Sequence, residues 1–105
     1  MENKIKVILT TFSKMDVARL FCKKLVEADL SPCVQLIPKI TSIYKWEEKI
    51  VDDSEILVLV KIDVTNQEKV QSFLKENHPY KTPEIISINA EILNKDYQDW
   101  FFSKK

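Results

Sequence analysis

One histidine and two cysteines are the soft ligands of this chain: His78, Cys22 and Cys33. A neutral imidazole and a thiolate together suit copper, zinc or nickel. His78 opens the stretch HPYKTPEI, which ends at Ile85 and holds Pro79 and Pro83. Two prolines restrict the backbone before any ligand arrives, as a preorganised site requires. A ring at a helix end can equally bond a carbonyl. Cys33 can offer a thiolate to Cu(I), or pack as a small hydrophobe. Cys22 follows Phe21 on a helical apolar arc, where packing is the stronger expectation. The cysteines lack a paired metal-binding spacing, so any shell has to be assembled by tertiary or inter-subunit contacts. One histidine with one or two cysteines is a plausible but incomplete soft-metal shell, with no obligatory cofactor expected. Tyr80, Tyr44 and Trp46 are candidates for the aromatic walls of a small-ligand cleft between subunits, or equally for an interface core, with Glu84 and Lys49 as polar groups at such a cleft or as surface ion pairs. The acidic group Glu47, Glu48, Asp52, Asp53 and Glu55 offers oxygen ligands to a hard cation, or is a solvated hairpin.

These residues sit on a regular alternation of elements. Ile5 to Phe12 is β-branched and apolar, a strand. Ser13 with Asp16 forms a capping-box pattern for a helix to Ala28, with Val17, Leu20, Phe21 and Leu25 as its apolar stripe. Cys33 to Trp46 reads as a long strand, in which Pro38 demands an edge or a bulge. Ile50 to Ile62 returns as a second long strand, with a bend expected at Asp52, Asp53 and Ser54. Its run Ile56 to Val60 is apolar on both faces and needs covering on both. Thr65 and Glu68 repeat the capping pattern before a helix that buries Val70, Phe73 and Leu74 and ends ahead of Pro79. Glu84 to Ala90 is the fourth strand, and Asn94 caps a short helix carrying Tyr97, Trp100 and Phe101. The order β-α-β-β-α-β plus a C-terminal helix is the α+β, ferredoxin-like pattern. The 105 residues form a single domain, long enough to bury roughly 65% of the unfolded surface.

Composition removes several function classes. The 16 basic and 16 acidic residues balance, so there is no basic stripe for nucleic acid and no polybasic membrane patch. No apolar run approaches a membrane span, and no signal-like segment opens the chain. Reduced thiols without an export signal place it in the cytoplasm. Glycine is absent, which excludes glycine-dependent phosphate loops and leaves Asp29, Asn77 and Asn94 as candidates for positive φ. EILVLVKI lacks the glycine and aromatics of an RNA-recognition strand, and TTFSKM lacks the cysteine pair of a metallochaperone. Arg19, the only arginine, lies within the first helix, away from where a phosphoryl-cleaving enzyme of this fold needs it. With no nucleophile–base pair in evidence, an enzyme is not expected.

Several motifs then occur together in order. SPCVQLIPKITSIYKWEEKI, HPYKTPEI and the closing YQDW resemble the CutA family of divalent-cation tolerance proteins, from Val7 to Trp100. The resemblance implies a cytoplasmic ferredoxin-like subunit in a tight homotrimer similar to the PII signalling proteins, with no catalytic reaction attached. This chain departs from the family pattern at Glu48, where glycine is usual, at Lys81-Thr82, and at Ser31-Pro32. Long apolar strand edges independently favour a closed ring of copies, with Tyr44, Trp46 and Trp100 as interface anchors. Two binding functions remain open: metal tolerance through His78, Cys33 and Cys22, or a PII-like cleft for a small anionic metabolite or nucleotide.

Overall fold

The structure, a computed structural model, describes residues 3–103. Four strands form one antiparallel sheet in the order β2-β3-β1-β4. They are β1 (Lys4–Phe12), β2 (Cys33–Trp46), β3 (Lys49–Asp63) and β4 (Ile86–Glu91). The helices are α1 (Met15–Glu27), α2 (Gln67–Asn77) and α3 (Lys95–Phe102), with a 3-10 turn at Val64–Asn66 ahead of α2. This is the expected α+β order with its extra C-terminal helix.

Strand periodicity divides the core. Ile8 and Phe12 of β1 and Val58, Val60 and Ile62 of β3 point to one face, against Ala18, Phe21, Cys22 and Leu25 of α1 and Val70 and Leu74 of α2. The stripe on α1 is therefore Ala18-Phe21-Cys22-Leu25; Val17 and Leu20, expected inside, are exposed because they flank that arc. On the other face, α3 covers only one end, where Phe101 packs with Ile5 and Ile92. The rest of that face carries Ile37, Ile86 and Ile88 at 44%, 49% and 48% exposure beside partly buried Leu9, Leu57 and Leu59. The run Ile56 to Val60 is thus fully covered on the helix side and only partly on the other.

Helix starts correct two capping expectations. The N-cap of α1 is Lys14, without a side-chain bond; Ser13 falls one residue early, and Asp16 accepts only from Val17 N–H at 2.9 Å. Before α2, Asp63 rather than Thr65 is the capping side chain, accepting from Thr65 N–H at 3.0 Å. An Asx turn there winds the 3-10 turn first. Asn94 does cap α3, accepting from Asp96 N–H at 2.9 Å and Tyr97 N–H at 3.4 Å.

A glycine-free chain still needs left-handed residues. Asp29, at φ 58°, closes α1 as a Schellman motif, with Leu30 N–H on Leu25 O and Asp29 N–H on Val26 O, both 3.0 Å. Asn77 and Asn94 do not take positive φ; Lys39, Glu47 and Glu48 do, at 57°, 48° and 66°. Lys39 belongs to a β-bulge: the register passes from Ile37↔Leu57 to Ile40↔Glu55, so Pro38 and Lys39 together face Ile56. Glu47 and Glu48 are the two loop residues between paired Trp46 and Lys49, the left-handed pair that tight hairpins prefer. The bend expected at Asp52 to Ser54 is absent; these residues pair regularly with Ile43, Ser42 and Thr41.

Candidate functional site

Beneath the long β2–β3 hairpin lies an open cleft of about 720 Å³. Ser42, Tyr44 and Trp46 of β2 and Asp53 and Glu55 of β3 form its wall. Alternation puts these five on one side of the ribbon and Thr41, Lys45, Asp52 and Ser54 on the other. The segment after α2 closes the cleft with Tyr80, Lys81, Thr82 and Glu84, and Thr11 and Ser13 complete it at the end of β1.

Two phenol–carboxylate pairs organise the wall. Tyr80 Oη donates to Glu55 Oε2 at 2.7 Å, and Tyr44 Oη donates to Asp53 Oδ2 at 2.8 Å. Glu55 is 9% exposed. Burial, then the bond to Glu55 and its charge, raise the Tyr80 hydroxyl's pKa well above the usual phenol value, while a Ser13 hydrogen bond pulls it down. Ser13, displaced from the expected cap, is used here instead. The bond to Asp53 leads the causes that raise Tyr44. Both tyrosines are therefore firmly protonated donors at neutral pH.

His78 holds Tyr80 in place. Its Nε2 lies 2.8 Å from the Thr11 carbonyl, and its Nδ1 accepts the Tyr80 N–H at 3.1 Å. Those partners fix the tautomer with the proton on Nε2. The ring stacks on Phe12 at 4.4 Å and meets Tyr80 edge-on at 4.8 Å. Burial lowers its pKa, against smaller raising effects of the Thr11 bond and the Glu55 charge. A metal at either nitrogen would have to displace Thr11 or the Tyr80 amide.

The three soft ligands do not meet within one chain. Cys33 begins β2 in the row with Lys61 and Val7, whereas His78 bonds Thr11, four residues further along β1 and roughly 13 Å at ~3.3 Å per residue. Cys22 is buried in the helix-side core, and that burial pushes its thiol up to about 11. Cys33 is a free, half-buried thiol whose N–H is held by Ser31 Oγ at 3.2 Å. Among the described residues no three His, Cys, Asp or Glu side chains form a metal-holding group.

Of the residues expected at a cleft between subunits, Tyr80, Glu84, Tyr44 and Trp46 line this cleft within one chain, and Lys49 stands at the hairpin tip opposite Trp46. Trp100 is 42% exposed on α3, beside Tyr97. Asp53 and Glu55 are the cleft residues that sequence reasoning placed in an undivided acidic run. Strand alternation was the signal that separates them from Asp52, and the bend expected there concealed it.

The chain is similar to known proteins over most of its length. A family model described as "CutA1 divalent ion tolerance protein" matches residues 6–104. The chain belongs to the CutA family. A divalent-cation tolerance protein CutA of Thermus thermophilus is 40% identical over 95 residues, 90% of this chain and 92% of that one. The human protein CutA is 35% identical over 96 residues, and the match spans about half (54%) of its length. The solved periplasmic divalent cation tolerance protein CutA of Archaeoglobus fulgidus superposes with a TM-score of 0.86 at 32% identity, covering 92% of this chain and 94% of that one. No helix among the described residues is long and apolar enough to cross a membrane.

Proposed function

We propose that this CutA chain serves divalent-cation tolerance by binding rather than catalysis, as a cytoplasmic homotrimer that holds copper or another divalent ion weakly. The open sheet face carries the assembly reading. Ile37, Ile86 and Ile88 stand about half exposed around Leu57 and Leu59, and β4 leaves one edge unpaired. Burying the exposed half of one such isoleucine is worth ~0.7–1.5 kcal/mol, and a closed ring removes the exposed edges as well. Trp100, 42% exposed on α3, is a further interface anchor, whereas Tyr44 and Trp46 line the cleft. The family name supports the role in tolerance.

Cys33 leads the candidate metal contacts because its thiol is only partly buried and soft. His78 is second, since a metal competes there with Thr11 and Tyr80. Cys22 is third, its raised thiol pKa disfavouring the thiolate. The ligand shell is completed by contacts from a second copy.

A copper titration of the reduced protein against a competing chelator tests this reading. The expected result is weak uptake, reduced at least tenfold in Cys33→Ala and less in His78→Ala, with the particle mass unchanged. Equal uptake by wild type and both variants would overturn the assignment of ligands.

A further inference from the structure

We propose that the cleft beneath the hairpin binds a short aliphatic diamine or polyamine, its ammonium groups at Asp53 and Glu55 and its methylene chain along Tyr44, Trp46 and Tyr80. The site is separate from the metal contacts proposed above and does not depend on them.

Its volume, about 720 Å³, is in the range of small-molecule pockets. Its charge selects the ligand's sign: Asp53, Glu55 and Glu84 line it against Lys81 alone. That balance repels a nucleotide or another anionic metabolite, the ligand class expected from a PII-like reading. Glu55 is nine-tenths buried, yet its partner is the Tyr80 phenol and no described lysine or arginine pairs with it. Asp53 is exposed, bonds the Tyr44 phenol and likewise pairs with no described lysine or arginine. Each phenol occupies one carboxylate oxygen and leaves the second to accept from a ligand. A buried carboxylate without a cation is stabilised by any ammonium that reaches it.

The spacing selects a doubly charged organic cation. Asp53 and Glu55 are two apart on one strand face, so their Cα atoms lie about 6.6 Å apart, within the span of a short alkyl diamine. Trp46 is 52% exposed and Tyr44 41%, which offers π faces to ammonium groups and apolar surface to methylenes. A bare Mg²⁺ or Ca²⁺ fits less well. It needs six or more oxygens converging at ~2.0–2.6 Å, and the described residues supply no three-ligand group.

The same alkylammonium chemistry could come from a lysine of a second copy, so the test separates the two sources. Isothermal titration at fixed ionic strength would compare putrescine, spermidine, butylamine, MgCl₂ and ATP on wild type, D53N, E55Q and W46L. The expected result is saturable binding of spermidine and putrescine, at least tenfold tighter than butylamine. That binding should fall at least tenfold in D53N and E55Q and severalfold in W46L. The solvent-exposed Trp46 keeps the test valid should the buried Glu55 variant misfold. Absent amine binding, equal binding to wild type and variants, or equal competition by Mg²⁺ would overturn the proposal. So would a fall in particle mass of D53N and E55Q without amine binding, which would assign the carboxylates to a neighbouring copy's lysine.

Discussion

The two faces of the single sheet are built from the same residue types and finished differently. On the helix side Phe12, Val58, Val60 and Ile62 are fully buried beneath α1 and α2. On the opposite side Ile37, Ile86 and Ile88 remain about half exposed, because α3 reaches only the end near Ile5 and Ile92. The hairpin arm is more open still, with Ile43 at 68% and Ile50 at 70%. Two long helices cover one face of a four-stranded sheet, and a third of eight residues cannot cover the other. A strand run that is apolar on both faces, in a chain with helices enough for only one, supports the proposed assembly.

Substitutions on the two faces should separate these roles. Ile88→Asp places a charge on the open face, and the expected result is a threefold drop in particle mass by light scattering, with helical and strand signals retained. Phe12→Ala should do the reverse: a loss of about 3–5 kcal/mol per chain in denaturant unfolding at fixed protein concentration, with the assembly kept while the chain is folded. Loss of assembly in both variants alike would erase the distinction.

His78 sharpens the helix side. Its folded pKa lies below the ordinary 6.5, so between the two values the unfolded chain binds more protons. This contribution to stability is complete above about pH 6.5 and is lost as pH falls below it. A protonated Nδ1 also cannot accept the Tyr80 amide, a loss of about 1–3 kcal/mol. Urea midpoints of wild type should therefore fall between pH 7 and 5 more steeply than those of His78→Gln; parallel profiles would contradict the assignment. The smallest effect is at the hairpin tip. Glu48→Gly relieves a left-handed L-residue at φ 66° and should add about 1 kcal/mol, without changing the particle mass. A lowered melting temperature would speak against that strain.

The element order was legible because strand and helix periods here are strong, and Pro38 announced its bulge. Asn94 announced its cap for the same reason: a short side chain just before a helical pattern. The other caps were not legible. Ser13 and Thr65 have the right chemistry, but α1 begins one residue later than the motif implies and Asp63 captures the turn before α2. Tyr80, Tyr44, Trp46 and Glu84 were legible as cleft residues through their types. The pairing of Tyr80 with Glu55 spans 25 residues of sequence, and no local pattern encodes it. His78 looked like a ligand because it is the single imidazole, whereas its two short contacts depend on where β1 ends.

The most direct measurement is a native mass spectrum of the reduced, metal-free protein at successive dilutions. The proposed trimer, with the open apolar face covered by copies, predicts a particle of three times the 12.3 kDa chain that persists on dilution. A stable folded monomer would contradict it and leave the exposed isoleucines of β4 without a role.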